Sequence, residues 1–280
     1  MRLTALAPGK VNLCLFLGGL KDDGRHELVT LIESVSLADE LSMTESDRDE
    51  VVCPEVEEPN IVSRALEGLR SLGWDGPPVR IEITKRIPVA AGMGGGSADA
   101  AALLRLAEQI APVPGVGGLS SQLGADVPSQ LSPGLVLGTG AGDVVSRRQT
   151  LPEHAFVIVS SPHRLATAGV YAEADRLGLG RSPKELRELA AAEDPPFVND
   201  LEPAALSLCP SIADSLSVVR ATGADHALVT GSGPTVFGLF WGPDASQRAD
   251  AAAEVIPAAK SAVPVDADFG HPRFQAQSDP

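Results

Sequence analysis

Lys10 and Asn12 stand two residues apart in APGKVNLCLFL. If that run is extended, both point to one face while Val11, Leu13 and Leu15 take the other. An ammonium and a carboxamide on one face would meet either a cleft or solvent, and the spacing alone leaves both open. The stretch PVAAGMGGGSADAAAL, residues 88–103, is more specific. Gly92, Gly94, Gly95 and Gly96 lack the Cβ that blocks left-handed backbone angles and close approach, so successive amide N–H groups can turn toward an anion. Ser97, Ala98 and Asp99 then open an alanine-rich helix expected to run to about Ile110, whose free first-turn N–H groups and positive dipole end would face the same anion. Together they predict a phosphate site, against the plainer reading of a glycine turn that merely starts a helix. Two neighbouring motifs fail on spacing. A P-loop needs Lys after its last glycine, whereas Gly96 is followed by Ser97 and Ala98. A dinucleotide fingerprint wants an acidic residue some 20 positions on, where this chain has Leu119, Ser120 and Ser121.

Asp126, in LGADVPSQL, is a lone carboxylate in a stretch apolar enough to be partly buried, and a buried carboxylate demands a partner. Its commonest plain role would be to cap or start a helix or turn before Val127-Pro128. The segment LVTGSGPTVFGLF reads as a glycine turn between apolar strands and by itself carries no chemistry.

Positioning these residues takes a mixed set of elements. Apolar alternation predicts strands over Arg2–Ala7, Val11–Leu17, Ser34–Leu37, Asp39–Thr44 and Arg80–Lys85, with a helix over Ile61–Leu72 before the glycine loop. The glycine-rich LSPGLVLGTGAGDVV closes a first lobe near residue 150, and Ala155–Ser160 opens a second as a buried strand. Helices follow at Thr167–Leu177, Pro183–Ala192, Ala204–Leu208, Ile212–Arg220 and Ala245–Ile256, and Thr235–Trp241 is a further strand. The expected class is α+β, with lobes at 1–150 and 151–270 and a loose polar tail at 271–280.

Composition limits the partners. The 280 residues are 44% hydrophobic, enough for a large core, and carry a formal charge of −15. Such a balance argues against general affinity for nucleic acid or an anionic membrane, so a phosphate site must be local. Cys14, Cys53 and Cys209 are far apart and odd in number, which suits reduced thiols in a cytoplasm better than disulfides or a zinc site. Pro8, Gly9, Lys10 and Asn12 interrupt the N-terminal apolar run, so it reads as neither signal peptide nor membrane span.

In this order, APGKVNL, PVAAGMGGGSADAA and VTGSGPTVFG resemble the three motifs of the GHMP kinase superfamily. Within it, DGRHELVTLIESVSLADEL, NIVSRA, KRIPVAAGMGGGSADAAALL, LGADVPSQL, NDLEP and TGSGPTVFGLF resemble the 4-diphosphocytidyl-2-C-methyl-D-erythritol kinases, over roughly residues 5 to 240. The resemblance implies a two-lobed α+β fold with the active site between the lobes. It also implies ATP-dependent phosphorylation of the 2-hydroxyl of CDP-methylerythritol, a step of the non-mevalonate route to isoprenoid precursors. Two other classes stand beside it. A GHMP kinase for another small alcohol, of mevalonate or homoserine type, has no cytosine to read and does not account for DGRHE. A non-catalytic nucleotide-binding protein on the same fold would be expected to lose Lys10 or Asp126.

Residue by residue, the resemblance makes Asp126 the catalytic aspartate and Lys10 its partner, with Asn12 a substrate contact. Pro88, Val89, Ala90, Ala91, Gly92, Met93, Gly94, Gly95, Gly96, Ser97 and Ala98 match the nucleotide phosphate loop, and Ser97 is a candidate Mg²⁺ or phosphate contact. No carboxylate is assigned to magnesium, whose remaining ligands would be ATP oxygens and water. Asn60 and Val62 match the adenine side, although Asn at a helix start is ordinarily a cap. His26 matches the histidine that reads cytosine, and Arg25 replaces an aromatic common in the family, offering a guanidinium plane instead. Tyr171 falls where an aromatic lies on the base, against a plain role in helix packing, and Thr167 falls where a threonine contacts substrate. The resemblance leaves the oligomeric state open.

Overall fold

The computed structural model describes residues 2–56 and 60–275. Two long antiparallel strands, β1 (Arg2–Leu20) and β2 (His26–Glu45), pair over most of their length and carry Lys10, Asn12 and His26. The sequence reading breaks β1 at Pro8-Gly9. The chain instead stays extended, because the irregularities are absorbed as register shifts between Pro8 and Lys10 and between Asn12 and Cys14. A bulge reverses the in-out alternation beyond it and re-aims side chains. Leu15 therefore lines the same cleft as Lys10 and Asn12 rather than opposing them, and Cys14 and Phe16 join Val11 and Leu13 in another cluster. Simple alternation misassigned Leu15 for this reason.

Around this pair grows a seven-stranded sheet with β3 (Glu50–Val52), β4 (Val79–Thr84), β5 (Leu135–Thr139), β6 (Val144–Arg147) and β11 (Arg273–Gln275). β5 and β6 come from the glycine-rich segment read as a lobe boundary, which is a hairpin of the first sheet. β11 corrects the expected loose tail: Leu3 pairs with Phe274, so the chain returns to close the edge of β1. Residues 276–280 of that tail lie outside the described residues. A second sheet has the order β10 (Ala259–Ala262), β7 (His154–Val159), β9 (Val236–Trp241), β8 (His226–Val229).

Three apolar clusters hold the layers together. In the first, α1 (Ile61–Ser71), α2 (Gly95–Ile110), α3 (Val116–Leu123) and α4 (Val127–Gln130) cover one face of the first sheet. The alanines of α2 suit this place: Ala98, Ala100, Ala101, Ala102 and Ala107 are buried, and small side chains let the helix approach strand and neighbouring helix closely. In the second cluster, α5 (Thr167–Leu177), α7 (Glu202–Leu208), α8 (Ile212–Ala221) and α9 (Ala245–Val255) cover the second sheet. α6 (Pro183–Ala191) packs through Leu186 into the third. That third cluster joins the two sheets. Along β7, Ala155, Val157 and Val159 face the helices while Phe156 and Ile158 face the first sheet, the period of two that a strand requires. α3 and α4 are absent from the sequence reading because each is short: α3 buries Val116, Leu119 and Leu123 on one face but over only 8 residues, and α4 has 4.

A buried polar contact between His154 and Glu33 crosses this junction. His154 Nε2 lies 2.9 Å from Glu33 Oε2 and its Nδ1 lies 2.7 Å from the Pro152 carbonyl oxygen, with both side chains almost wholly buried. Burial works against the charged imidazole, but the hydrogen bond and charge of Glu33, with the Pro152 carbonyl, outweigh it and raise the His154 pKa. A raised native value stabilises fully below the unfolded pKa of about 6.5 and is lost as pH climbs through the native one. Melting temperature should therefore fall as pH rises above about 6.5, and Glu33→Gln should flatten that slope. Equal slopes for the two proteins in a calorimetric pH series would rule out the pair as the source.

Candidate active site

The glycine loop opens α2 toward a cleft of about 560 Å³. Gly94 takes the N-cap position with φ 67° and supplies no side-chain cap, and Gly95 and Gly96 form the first turn, so the helix starts before Ser97. The first bond into this helix runs from Ala98 N–H to the Gly94 carbonyl, 2.9 Å, leaving the amides of Gly95, Gly96 and Ser97 without helical acceptors. The first turn carries no acidic residue. A capless helix start with three amides left over and no acidic residue in its own first turn is suited to anionic oxygen. Gly92, at φ 77°, lies against the backbone of the turn between β8 and β9: a Cβ there would stand 2.8 Å from Thr230 O and 2.9 Å from Gly233 O. Ala90 also has positive φ, 58°, in a loop where only glycines were expected to.

Lys10 and Asp126 meet beside that loop. Lys10 is buried, its Nζ donating to Asn12 Oδ1 at 2.6 Å and lying 3.5 Å from Asp126 Oδ2. Asp126 precedes α4 at the N-cap position but makes no side-chain capping bond, so the plain capping role does not hold. One third of its side chain is exposed, into the cleft. A Cβ on Gly94 would come within 3.1 Å of Lys10 Cγ and 3.6 Å of Asp126 Oδ2, which brings the phosphate loop against the pair. Asn12 is held from two sides: its Nδ2 donates to Thr30 Oγ1 at 2.8 Å, and its backbone N–H donates to Thr230 Oγ1 at 3.0 Å. The third glycine segment closes the ring, since a Cβ on Gly231 would stand 3.2 Å from both Lys10 Nζ and Asn12 Oδ1.

At one end of the cleft lie Thr167, Tyr171, Ala141 and Gly142. Thr167 Oγ1 is 3.1 Å from Ser232 Oγ. Burial pushes the Tyr171 phenol well above its ordinary pKa and the Asp126 carboxylate adds to this, so the ring is neutral and feels the same carboxylate that faces Lys10. His26 does not line the cleft directly. It stands behind Tyr171, ring centroids 5.1 Å apart, with Nε2 2.8 Å from Asp175 Oδ1. Arg25 is half exposed and turned aside, its guanidinium paired with Asp23 and Asp143 at 2.9 and 3.0 Å. Its N–H edges are thus engaged by carboxylates, and the residue does not line the cleft.

At the other end, Asn60 caps α1 through Val62 N–H (2.9 Å) and Ser63 N–H (3.0 Å) while lining the cleft with Val62, so capping and lining coincide. Lys85 and Asp99 line the same end. Lys85 Nζ bonds Asp39 and, at 2.6 Å, Asp99 Oδ2, and Asp39 Oδ1 takes the Ile87 N–H at 2.8 Å at the root of the glycine loop. Burial and Asp39 push Asp99 up, Lys85 opposing them, to about 7. Sequence reasoning missed this cluster, as it missed Thr30, Thr230, Asn199 and Asp175. Thr230 and Asn199 lie within the quoted segments LVTGSGPTVFGLF and NDLEP without being given a part, and Asp175 left a local trace four residues after Tyr171, on the same helical face.

Bound with phosphates at the α2 start, a hydroxyl near Asp126 would find a proton acceptor, a neighbouring ammonium and oriented amides, the parts that phosphoryl transfer needs. Among the described residues no group of three His, Cys, Asp or Glu is arranged to hold a metal ion. The donor set fits a hard cation carried mainly by phosphate oxygens and water, with the Ser97 hydroxyl at hand. No described helix is long and apolar enough to cross a membrane.

Comparison with known proteins agrees with this geometry. Residues 60–146 match the family described as GHMP kinases N terminal domain and residues 173–262 that described as GHMP kinases C terminal. The chain is similar to the 4-diphosphocytidyl-2-C-methyl-D-erythritol kinase of Streptomyces avermitilis, 37% identical with 91% of this chain and 93% of the relative covered. It is similar too to that of Mycolicibacterium gilvum, 40% identical over 83% and 80%. Among solved structures, a 4-(cytidine 5'-diphospho)-2C-methyl-D-erythritol kinase superposes with a TM-score of 0.77 at 34% identity, covering 93% of this chain and 98% of that one.

Proposed function

Since the chain belongs to the GHMP kinases and, within them, to the 4-diphosphocytidyl-2-C-methyl-D-erythritol kinases, we propose that its cleft seats ATP and CDP-methylerythritol with Lys10 and Asp126 at the point of transfer. The reaction is phosphorylation of the 2-hydroxyl of the cytidylylated alcohol. The observation that carries the reading is the meeting of the Lys10–Asp126 pair with the uncapped start of α2. Asp126 accepts or orients the hydroxyl proton. Lys10 pairs with that carboxylate and offsets charge on the transferred group. Asn12 orients Lys10, and the loop Pro88–Ala98 holds the donor phosphates. Mg²⁺, bound with the triphosphate, neutralises its charge. Asn60 and Val62 flank the adenine side, and Tyr171, backed by His26, receives the cytosine. Arg25, held by Asp23 and by Asp143 of the 140–143 turn, offers a guanidinium face toward the cytosine side. The cleft separates residues 1–150 from 151–270 as two lobes. Three buried free thiols and the acidic charge support a reducing, cytoplasmic setting.

The test is ATP consumption by the purified protein with magnesium, offering CDP-methylerythritol, methylerythritol phosphate, mevalonate and homoserine and following the new phosphomonoester by phosphorus NMR. Turnover with the cytidylylated alcohol alone is expected. Turnover with mevalonate or homoserine would keep the fold and move the substrate, and silence with all four would point to a non-catalytic nucleotide-binding protein. The cytidine end has its own test. His26→Ala removes the ring behind Tyr171 and should raise KM for the alcohol about tenfold, equivalent to about 1.4 kcal/mol, with KM for ATP unchanged. If neither constant moves, the base-recognition role is wrong.

A further inference from the structure

The NDLEP segment is singled out by the sequence and given no part in the chemistry above, yet it joins the two halves of the site. Asn199 is buried, and its Nδ2 donates to two carbonyls of the third glycine segment, Val229 O at 2.8 Å and Gly231 O at 2.7 Å. Its Oδ1 accepts from Leu201 N–H at 2.9 Å. The same segment is stitched to β1: Leu15 and Asn199 form a parallel bridge, with Leu15 N–H to Val198 O and Asp200 N–H to Leu15 O each 2.9 Å. The Asp200 carboxylate adds the Leu17 N–H at 3.0 Å. β1 carries Lys10 and Asn12, and the glycine segment meets them through Gly231 and Thr230.

We infer that Asn199 is a positioning residue for catalysis, setting the distance between β1 and the 230–233 turn so that Lys10 and Asn12 keep their register with the phosphate loop. The inference rests on the kinase reading. Two neighbouring carbonyls, 229 and 231, converge on one amide nitrogen, which only a side chain with two donors at this reach can satisfy. Aspartate would set oxygen against oxygen, and alanine would leave both carbonyls buried without a donor.

The decisive variant is Asn199→Gln, which keeps the same donors and acceptor but moves them outward by one methylene. A role limited to satisfying buried carbonyls survives that change, whereas a positioning role does not. With circular dichroism showing a folded protein, kcat should drop about 100-fold, the cost of misplacing reacting groups by about 1 Å, while KM for ATP stays within about threefold. Asn199→Ala should show the same split. A folded Asn199→Gln with wild-type kcat overturns the inference. A second arm needs no turnover: in isotope-labelled protein, the Asn12 side-chain amide and the Gly231 amide should shift in Asn199→Gln and stay in place in the surface control Asp214→Asn. If the wild type phosphorylates none of the alcohols offered, the kinase reading falls. The NMR arm then decides whether Asn199 holds Asn12 and the 230–233 turn in register, since unshifted signals overturn that coupling and shifted ones uphold it.

Discussion

Asp126→Asn is expected to lower kcat by roughly 10²–10⁴-fold, the usual span for losing a positioned proton acceptor, while the protein stays folded and ATP binds nearly as before. The substitution preserves shape, and because Asp126 caps no helix bond, no structural hydrogen bond depends on its charge. What disappears is the acceptor facing the cleft and the counter-charge 3.5 Å from Lys10 Nζ. Groups that act as a unit are strongly non-additive. Lys10→Met should therefore cost a comparable factor, and the double variant little more than the worse single. Steady-state kinetics of the three variants checks both statements. Near-wild-type turnover in Asp126→Asn would remove the residue from the mechanism, and full additivity would show the pair to be two independent contributors.

The second large effect is expected at Gly92. Gly92→Ala must place a Cβ in the left-handed region, at a cost of about 1–2 kcal/mol, and that Cβ meets backbone rather than a yielding side chain, 2.8 Å from Thr230 O and 2.9 Å from Gly233 O. The phosphate loop would be forced off the 230–233 turn, widening the contact on which Asn12 depends. Activity should collapse, with KM for ATP rising at least tenfold, and the melting temperature should drop by several degrees. Gly96→Ala is the contrast: φ is not left-handed and the nearest atom is the Cγ2 methyl of the half-buried Ile61 at 3.3 Å, a side chain rather than backbone, so stability should fall far less than in Gly92→Ala. Thermal melts of the two variants with ATP titrations separate local strain from general loop sensitivity, and equal behaviour would defeat the argument.

Much of this was legible in the linear chain because it rests on short-range rules. The glycine loop reads as an anion cradle since backbone freedom and helix polarity are local properties, and α2 appears with only its first turn misjudged. α1, α5, α6 and α9 follow from apolar periodicity, and the capping box of α6, Ser182 with Glu185, is written in its first residues. Lys10 and Asn12 were expected on one face and share one hydrogen bond. Against these, β1 and β2 were read as fragments, because a bulge and a break look alike until a partner strand shows which residue is skipped. β11 was read as tail, because a polar edge strand carries no apolar alternation to betray it.

Residue types and spacing thus settle which groups are available for phosphoryl transfer and which backbone can bind the phosphates, since those depend on chemistry within a turn or two of the chain. They do not settle which groups meet. That Asp126 leaves its helix uncapped to face Lys10, that His26 stands behind Tyr171 and leans on Asp175, that Arg25 is spent on Asp143, and that Asn199 grips the turn beside Asn12 are facts about residues up to 218 positions apart. Such contacts arise from strand pairing within the first sheet, from the helices that cover it and from the packing of the two sheets against one another. Long-range packing is a sum over the whole core, and no local pattern encodes it.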